Sequence, residues 1–250
     1  MATRDWNGPS YDRVSAPMEA LGRAVLDRLS LNGDETVLDA GCGSGRVTEA
    51  LIERLPQGRV IAVDASESMV SAARERLGDR ADVRRMDLLE LELDTPVDAI
   101  LSTATFHWIA DHDRLFERLR RALRPGGQLV AQCGGERNIA RVHRAADEVG
   151  AREPYAPYLN SWRGPWNFSS PERASDALER AGFTDVHAWL QPVPVTPPEP
   201  FEYLRTINLG AHLDRLPPQL HEGFVRAVMA ELGEPLTIDY VRLNLDARAT

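Results

Sequence analysis

Three glycines within five positions, Gly41, Gly43 and Gly45, follow an apolar run that ends in Asp39 within the stretch TVLDAGCGSG. Glycine is costly to order, so such a cluster marks a backbone that must bend sharply or lie close to a ligand. Two ligand classes compete for a glycine turn placed after a strand. A dinucleotide site uses G-x-G-x-x-G and rests a pyrophosphate on the N-terminus of the next helix. Here position 46 is Arg where the third glycine would stand, and the Asp39 carboxylate opposes a nearby pyrophosphate. Asp39 suits a ligand that carries positive charge. S-adenosyl-L-methionine is such a ligand, with an ammonium, a sulfonium and a ribose but no phosphate. Asp64 stands 25 residues beyond Asp39, where an acid can accept both ribose hydroxyls, and Asp87 follows the third strand, where a carboxylate can accept an adenine amino group.

The stretch HWIADHD is the second constellation. Its His107, Asp111, His112 and Asp113 have metal-binding chemistry, but Asp111 reads as a helix cap and Asp113 falls in the first helical turn, where acids are favoured. We expect no metal. His107 and Trp108 lie just past the fourth strand, beside the expected position of a transferred group, and His107 is the one candidate general base for a hydroxyl acceptor. A carboxylate acceptor is ionised at neutral pH and needs no base.

These residues need elements to position them, and the pattern supplies alternating strands and helices. ETVLDA, GRVIAVDA, ADVRRMDLL, VDAILSTATF and QLVAQC read as five successive strands. Val47, Leu51 and Leu55 stripe the first intervening helix; Met69, Ala73 and Leu77 stripe the next, capped by Ser66 and stopped by Gly78. Asp111 opens a third helix carrying Leu115, Leu119 and Leu123, which RPGG closes. This rhythm predicts an α/β fold with a doubly wound parallel sheet, whose ligand sits at the carboxyl ends of the strands where strand order reverses. Beyond residue 135 the rhythm loosens: a helix within RNIARVHRAADEVG, an aromatic stretch with Trp162, Arg163 and Trp166, a helix from Ser170 to Gly182, a strand at TDVHAWLQPV, helical stretches near 201–209 and 218–232, and a last strand at 238–247.

Composition narrows the function classes. All 29 basic residues are arginine, which excludes a lysine Schiff base and the phosphate-binding lysine of a P-loop. A net charge of −9 disfavours nucleic acid as a partner, and no apolar run approaches a membrane span. The N-terminal MATRDWNGPSYDR lacks an apolar signal core, so we expect a cytoplasmic protein. Two cysteines, Cys42 and Cys133, make neither a disulfide framework nor a metal site.

VLDAGCGSG, VIAVDAS, RRMDLL and LRPGGQLV together resemble the successive motifs of class I S-adenosylmethionine-dependent methyltransferases, over residues 35–135. DWNGPSYDRVS and ATFHWIADHDRLF are similar to the trans-aconitate methyltransferase group, which methylates a carboxylate. The resemblance implies a seven-stranded Rossmann-like sheet with an antiparallel last strand and helical cap insertions. We divide the chain into an N-terminal lid and first helix (1–34), a cofactor-binding core (35–135), a cap insertion (136–168), a core continuation (169–196), a second cap insertion (197–234) and the last core strand (235–250), the insertions being read from the loosened rhythm beyond residue 135. The expected cofactor residues are Asp39, Gly41, Cys42, Gly43, Gly45, Asp64, Ala65, Met69, Asp87, Leu88 and Thr103. For a small-molecule acceptor, in particular a carboxylic acid, we expect Trp6, Tyr11, His107, Trp108, Arg163 and Trp166, with Arg163 binding the acid and Arg13 or Arg205 as alternatives. Adenine methylation of nucleic acid is disfavoured, because STATFHW stands where those enzymes carry an Asn/Asp-Pro-Pro-aromatic turn. Methylation of a hydroxyl or carbon, and cofactor binding without catalysis, are the alternatives.

Overall fold

A computed structural model describes residues 16–250. Helix α1 (Ala16–Leu26) precedes strand β1 (Thr36–Ala40), helix α2 (Arg46–Glu53), β2 (Arg59–Asp64), α3 (Glu67–Leu77), β3 (Asp82–Arg85), β4 (Val97–Thr103), α4 (His112–Ala122) and β5 (Leu123–Gly134). Then follow α5 (Ala140–Gly150), the short α6 (Ala156–Leu159), α7 (Pro171–Arg180), β6 (Phe183–Val195), the short α8 (Pro200–Tyr203) and α9 (Gly210–Leu213), α10 (Pro218–Leu232) and β7 (Ile238–Ala249). The seven strands form one sheet in the order β3-β2-β1-β4-β5-β7-β6, with β7 antiparallel to both of its neighbours. This is the seven-stranded sheet with an antiparallel last strand that the motifs imply. Among the described residues no helix is long and apolar enough to cross a membrane.

Local chemistry accounts for the elements. Val37, Leu38 and Ala40 of β1 are fully buried, as a central strand covered on both faces requires. Ser66 Oγ accepts from the Met69 amide and starts α3, whose Met69, Ala73 and Leu77 are buried. Asp111 accepts from the Arg114 amide and starts α4. Leu123 departs from its expected place at the end of the α4 stripe: it pairs with Val97 as the first residue of β5. Pairing resumes at Ala99 with Gln128, so RPGG bulges out of the ladder between them. Leu115, Phe116 and Leu119 of α4 are fully buried against the sheet, each worth ~1.5–3 kcal/mol of burial.

Strand order reverses at β1, which lies between β2 and β4. The chain leaves β1 through the glycine turn, and the amides of Gly41 and Cys42 both donate to Val63 O, at 2.8 and 2.9 Å, tying that turn to β2. A second apolar cluster brings Ile139, Val142 and Val149 together with Leu159, Tyr203, Leu209, Phe224 and Val228, and with Ile238 and Tyr240 at the start of β7. The segments that follow β5 and β6 thus share one core and meet the sheet at β7.

Candidate active site

A cavity of about 600 Å³ opens over the carboxyl ends of β1, β2 and β4, within the size range of small-molecule sites. One half is lined by Gly41–Ser44, Asp64–Ser66, Met69 and Met86–Leu89. The other half is aromatic and carries His107, Trp108, Trp162, Trp166, Phe168 and Tyr240. Thr103, Ala104 and Thr105 line it where β4 ends.

Gly41 has φ +86, and a Cβ there would stand 2.2 Å from Thr105 Oγ1. The turn after β4 therefore packs directly on the turn after β1, and Thr105 Oγ1 donates to Gly41 O at 3.2 Å. Gly43 differs: at φ +55, an added Cβ meets no protein atom within 4 Å. Its amide donates to Asp64 Oδ2 at 2.9 Å, while Asp64 Oδ1 accepts from the Ser66 amide at 2.9 Å. Asp64 is thus fixed at the cleft by two backbone donors. Asp87 is exposed at the rim and accepts from the Leu89 amide.

Asp39 does not line the cavity; it lies behind the glycine turn, 1% exposed. Oδ2 accepts from Thr48 Oγ1 at 2.6 Å, and Oδ1 has no hydrogen-bond partner among the described residues. Burial raises its pKa to about 7, the Thr48 hydrogen bond opposes that rise, and the Asp64 charge adds to it. Cys42 lines the cleft through its backbone turn, and its thiol is pushed well above the ordinary value by burial and by the Asp39 and Asp64 carboxylates, so it is unreactive.

Beyond β4, Ala104 takes a left-handed φ of 56° and turns the chain into a short 3-10 segment, Phe106–Trp108. His107 is 7% exposed, lines the cavity and stacks on Phe168 with ring centroids 5.7 Å apart. Its Nδ1 accepts from the Gly134 amide at 3.3 Å. Burial, reinforced by the positive charges of Arg242 and His112, holds its pKa well below the ordinary histidine value. At neutral pH the ring is therefore neutral and carries its proton on Nε2. Trp108 faces Trp166 across 6.0 Å. His112 Nε2 bonds Phe106 O at 3.0 Å and Asp113 pairs with Arg180 at 2.7 Å, so these residues of HWIADHD hold the segment in place.

The structure brings Gly41, Cys42, Gly43, Asp64, Ala65, Met69, Asp87, Leu88 and Thr103 to one half of the cavity, and His107, Trp108 and Trp166 to the other. Three expected residues stand elsewhere. Besides Asp39, Gly45 is outside the cavity: it precedes α2 at φ +84, and its missing Cβ makes room for Leu77 of α3, 3.1 Å away. Arg163 is exposed and does not line the cavity, because the next residue, Gly164 (φ +74), turns the chain so tightly that a Cβ would meet the Trp166 ring at 1.9 Å. That turn sends Trp162 and Trp166 inward and Arg163 outward. Arg205 is likewise exposed, beside Glu202. Trp6, Tyr11 and Arg13 lie outside the described residues.

Sequence reading missed Asn138, Asn208, Tyr240 and Arg242, all of which line the cavity. The signal for Arg242 was present as Arg242, Asn244 and Asp246 at every second position of the last strand. Such an alternation ordinarily marks a solvent face, yet Arg242 is 3% and Asn244 0% exposed.

Residues 37–127 match a family model described as a methyltransferase domain. A trans-aconitate 2-methyltransferase from Variovorax paradoxus is 30% identical over 236 residues, covering 88% of this chain and 86% of that protein. One from Azoarcus sp. is 38% identical over 181 residues, 63% of this chain and 71% of that protein. The chain belongs to the trans-aconitate methyltransferase-like group of S-adenosylmethionine-dependent methyltransferases. The methyltransferase shares its fold with Haemonchus contortus phosphoethanolamine N-methyltransferase 2, solved with phosphomonomethylethanolamine and S-adenosylhomocysteine. That likeness has a TM-score of 0.63 at 21% identity, covers 96% of this chain and spans 56% of the longer protein.

The residues of this methyltransferase fit S-adenosylmethionine as its cofactor. Asp39 Oδ1 is an orphaned buried acceptor behind the glycine turn, Asp64 and Asp87 are carboxylates at the strand ends, and the space at Gly43 is open. Acceptors of this kind match a cation and a ribose.

Proposed function

We propose that this methyltransferase methylates a carboxylate oxygen of a small organic acid. The observation that carries this reading is the state of His107. A hydroxyl acceptor needs a group to take its proton, and His107 Nδ1 is already occupied by the Gly134 amide while burial keeps the ring neutral with Nε2–H as a donor. The Tyr240 hydroxyl is held by Asn208 and Tyr203, each at 3.0 Å, and burial raises its pKa. Neither residue serves as a base at neutral pH. A carboxylate is ionised there and asks only to be oriented. The relatives' names, trans-aconitate 2-methyltransferase, support the same acceptor class.

In this reading, Asp64, Asp87 and the turn Gly41–Gly43 hold the cofactor, with Asp39 supporting the turn and its cationic end. S-adenosylmethionine supplies an electrophilic sulfonium methyl, so that the C–O bond to the acid forms as the C–S bond breaks and no proton is released. The chain's own contribution is alignment, which supplies about 7–11 kcal/mol when two reactants are held at near-attack geometry. His107 Nε2–H donates to the acid, Trp108, Trp166 and Phe168 wall it in, and the aromatic surface excludes water. The test is turnover to S-adenosylhomocysteine with a panel of small acids, their primary amides and phenols. Turnover confined to the free acids agrees with the proposal; equal turnover of amides or phenols contradicts it.

A further inference from the structure

Arg242 lies on β7 directly opposite Gly134, the residue whose amide bonds His107. Paired residues of antiparallel strands project to the same face, and Gly134 has no side chain there. A Cβ at Gly134 would stand 2.7 Å from the Phe168 ring and 2.8 Å from Asn138 Nδ2, so this face points at the acceptor half of the cavity. The guanidinium shares that wall with His107, whose pKa it lowers, and lies 5.8 Å from the Tyr240 ring centroid.

A chain of buried amides stands behind it. Arg242 Nε donates to Gln132 Oε1 at 3.4 Å, Gln132 Nε2 donates to Asn244 Oδ1 at 2.9 Å, and Asn244 Oδ1 also accepts from Arg28 Nη1. Asn244 Nδ2 in turn donates to Gln191 Oε1 at 3.3 Å. Both amides are therefore fixed in direction: Gln132 must present its carbonyl to Arg242 because its NH₂ is used on Asn244. Arg46, the other arginine that lines the described cavity, is engaged by Glu19 at 2.7 Å and sits beside the glycine turn. Asp64 and Asp87 line one half of the cavity and Arg242 the other, and Asp214, which is exposed, also contributes to the lining.

We infer that Arg242 is the anion-binding residue of the acceptor half, holding a carboxylate of the substrate through paired N–H···O bonds, and that Gln132 is the positioning residue that orients it. The inference rests on the carboxylate reading of the site and adds which group recognises the acid. A carboxylate gripped by a guanidinium is a poorer nucleophile, so the carboxylate held by Arg242 is not the one that is methylated. Planar bidentate recognition is a property of arginine that lysine does not reproduce.

The test compares wild type with Arg242→Gln, Arg242→Lys, Gln132→Leu and Gln132→Glu. The primary readout is binding of small di- and tricarboxylates (succinate, glutarate, tricarballylate and aconitate), followed by quenching of cleft tryptophan fluorescence with S-adenosylhomocysteine present. S-adenosylhomocysteine affinity by calorimetry reports folding of each variant. The expected result is saturable acid binding by wild type, weakened at least thirtyfold in Arg242→Gln and about tenfold in Arg242→Lys, with S-adenosylhomocysteine affinity unchanged. Gln132→Leu weakens acid binding several-fold at unchanged S-adenosylhomocysteine affinity, and Gln132→Glu weakens it further because the new carboxylate competes for Arg242; with an acid that turns over, KM rises while kcat stays nearly constant. Should Arg242→Gln not fold, Arg242→Lys and the Gln132 pair decide. Acid binding equal to wild type in the folded Arg242 variants, equal effects on acid and cofactor in the Gln132 variants, or no saturable acid binding by wild type overturns the inference. Because binding is read without turnover, a failure of ester formation and a failure of Arg242 are separate outcomes.

Discussion

The amide of Gly134 donates to Nδ1 of His107 across 3.3 Å. That one bond selects the tautomer of the histidine nearest the acceptor half, and with burial it makes His107 a hydrogen-bond donor. Its proton state should not change within the working pH range, since its pKa lies well below 6.5. We expect kcat/KM for an acid acceptor to show no histidine titration between about pH 5.5 and 8.5. His107→Gln, which keeps a donor, should cost about tenfold, against the 10²–10⁴ typical of losing a general base. Steady-state kinetics across pH measure both, and a limb near pH 6.5 that vanishes in the variant would restore His107 as a base.

Asp39 gives a prediction with two opposite signs. Its folded pKa of about 7 lies above the ordinary 3.8, so its favourable contribution is present below pH 3.8 and lost as pH rises through 7. Asp39→Asn should therefore stabilise the ligand-free protein at pH 8 by about 2–4 kcal/mol and leave it unchanged near pH 3.8 or below. The same change removes a negative charge from behind the glycine turn and should weaken S-adenosylmethionine, a cation, at pH 8. Thermal unfolding at the two pH values, with calorimetric titration at pH 8, reads both; a variant less stable at pH 8 would contradict the account.

Gly41 and Gly43, two residues apart in one turn, should separate in experiment. Gly41→Ala meets Thr105 at 2.2 Å with φ +86, and should lower stability by about 2–4 kcal/mol. Gly43→Ala meets no protein atom within 4 Å, so its stability loss should stay near 1 kcal/mol, the cost of a left-handed alanine. Its effect should fall on cofactor affinity, by tenfold or more. Denaturant unfolding beside calorimetry makes the comparison, and normal affinity in Gly43→Ala would place the cofactor away from that turn.

Asp64 ties the Gly43 and Ser66 amides to the end of β2. Asp64→Ala should weaken S-adenosylmethionine by tenfold to a hundredfold, the cost of ~1.5–3 kcal/mol in charged hydrogen bonds. Affinity preserved in a folded Asp64→Ala protein would remove this residue from the site.

The half of the cavity that the proposal gives to the cofactor was legible because its chemistry is local. The glycine turn, Asp64 and Asp87 each sit at the end of a strand, and strand ends can be read from short apolar runs and the caps that follow. Ser66 and Asp111 announced their helices for the same reason. Gly45 carried the right residue type for a different cause, the approach of Leu77. The acceptor half was less legible because it is assembled from distant segments. Arg163 is adjacent to two inward tryptophans, yet its direction depends on the torsion of Gly164, which no spacing reveals. Arg242 is separated from His107 by more than half the chain, and only the pairing of β5 with β7 brings the two together. A polar alternation on a strand cannot by itself tell a solvated face from a buried network.

Proton stoichiometry tests the central claim most directly. Methylating a carboxylate neutralises one anion and one sulfonium and releases no proton, whereas methylating a hydroxyl releases one proton per transfer. With the best acid of the panel, indicator-dye proton release should be measured beside S-adenosylhomocysteine formation in weakly buffered solution near pH 7.5. The account predicts a ratio near zero and a product whose methyl group is lost in mild base. A ratio near one, with a base-stable product, would contradict it.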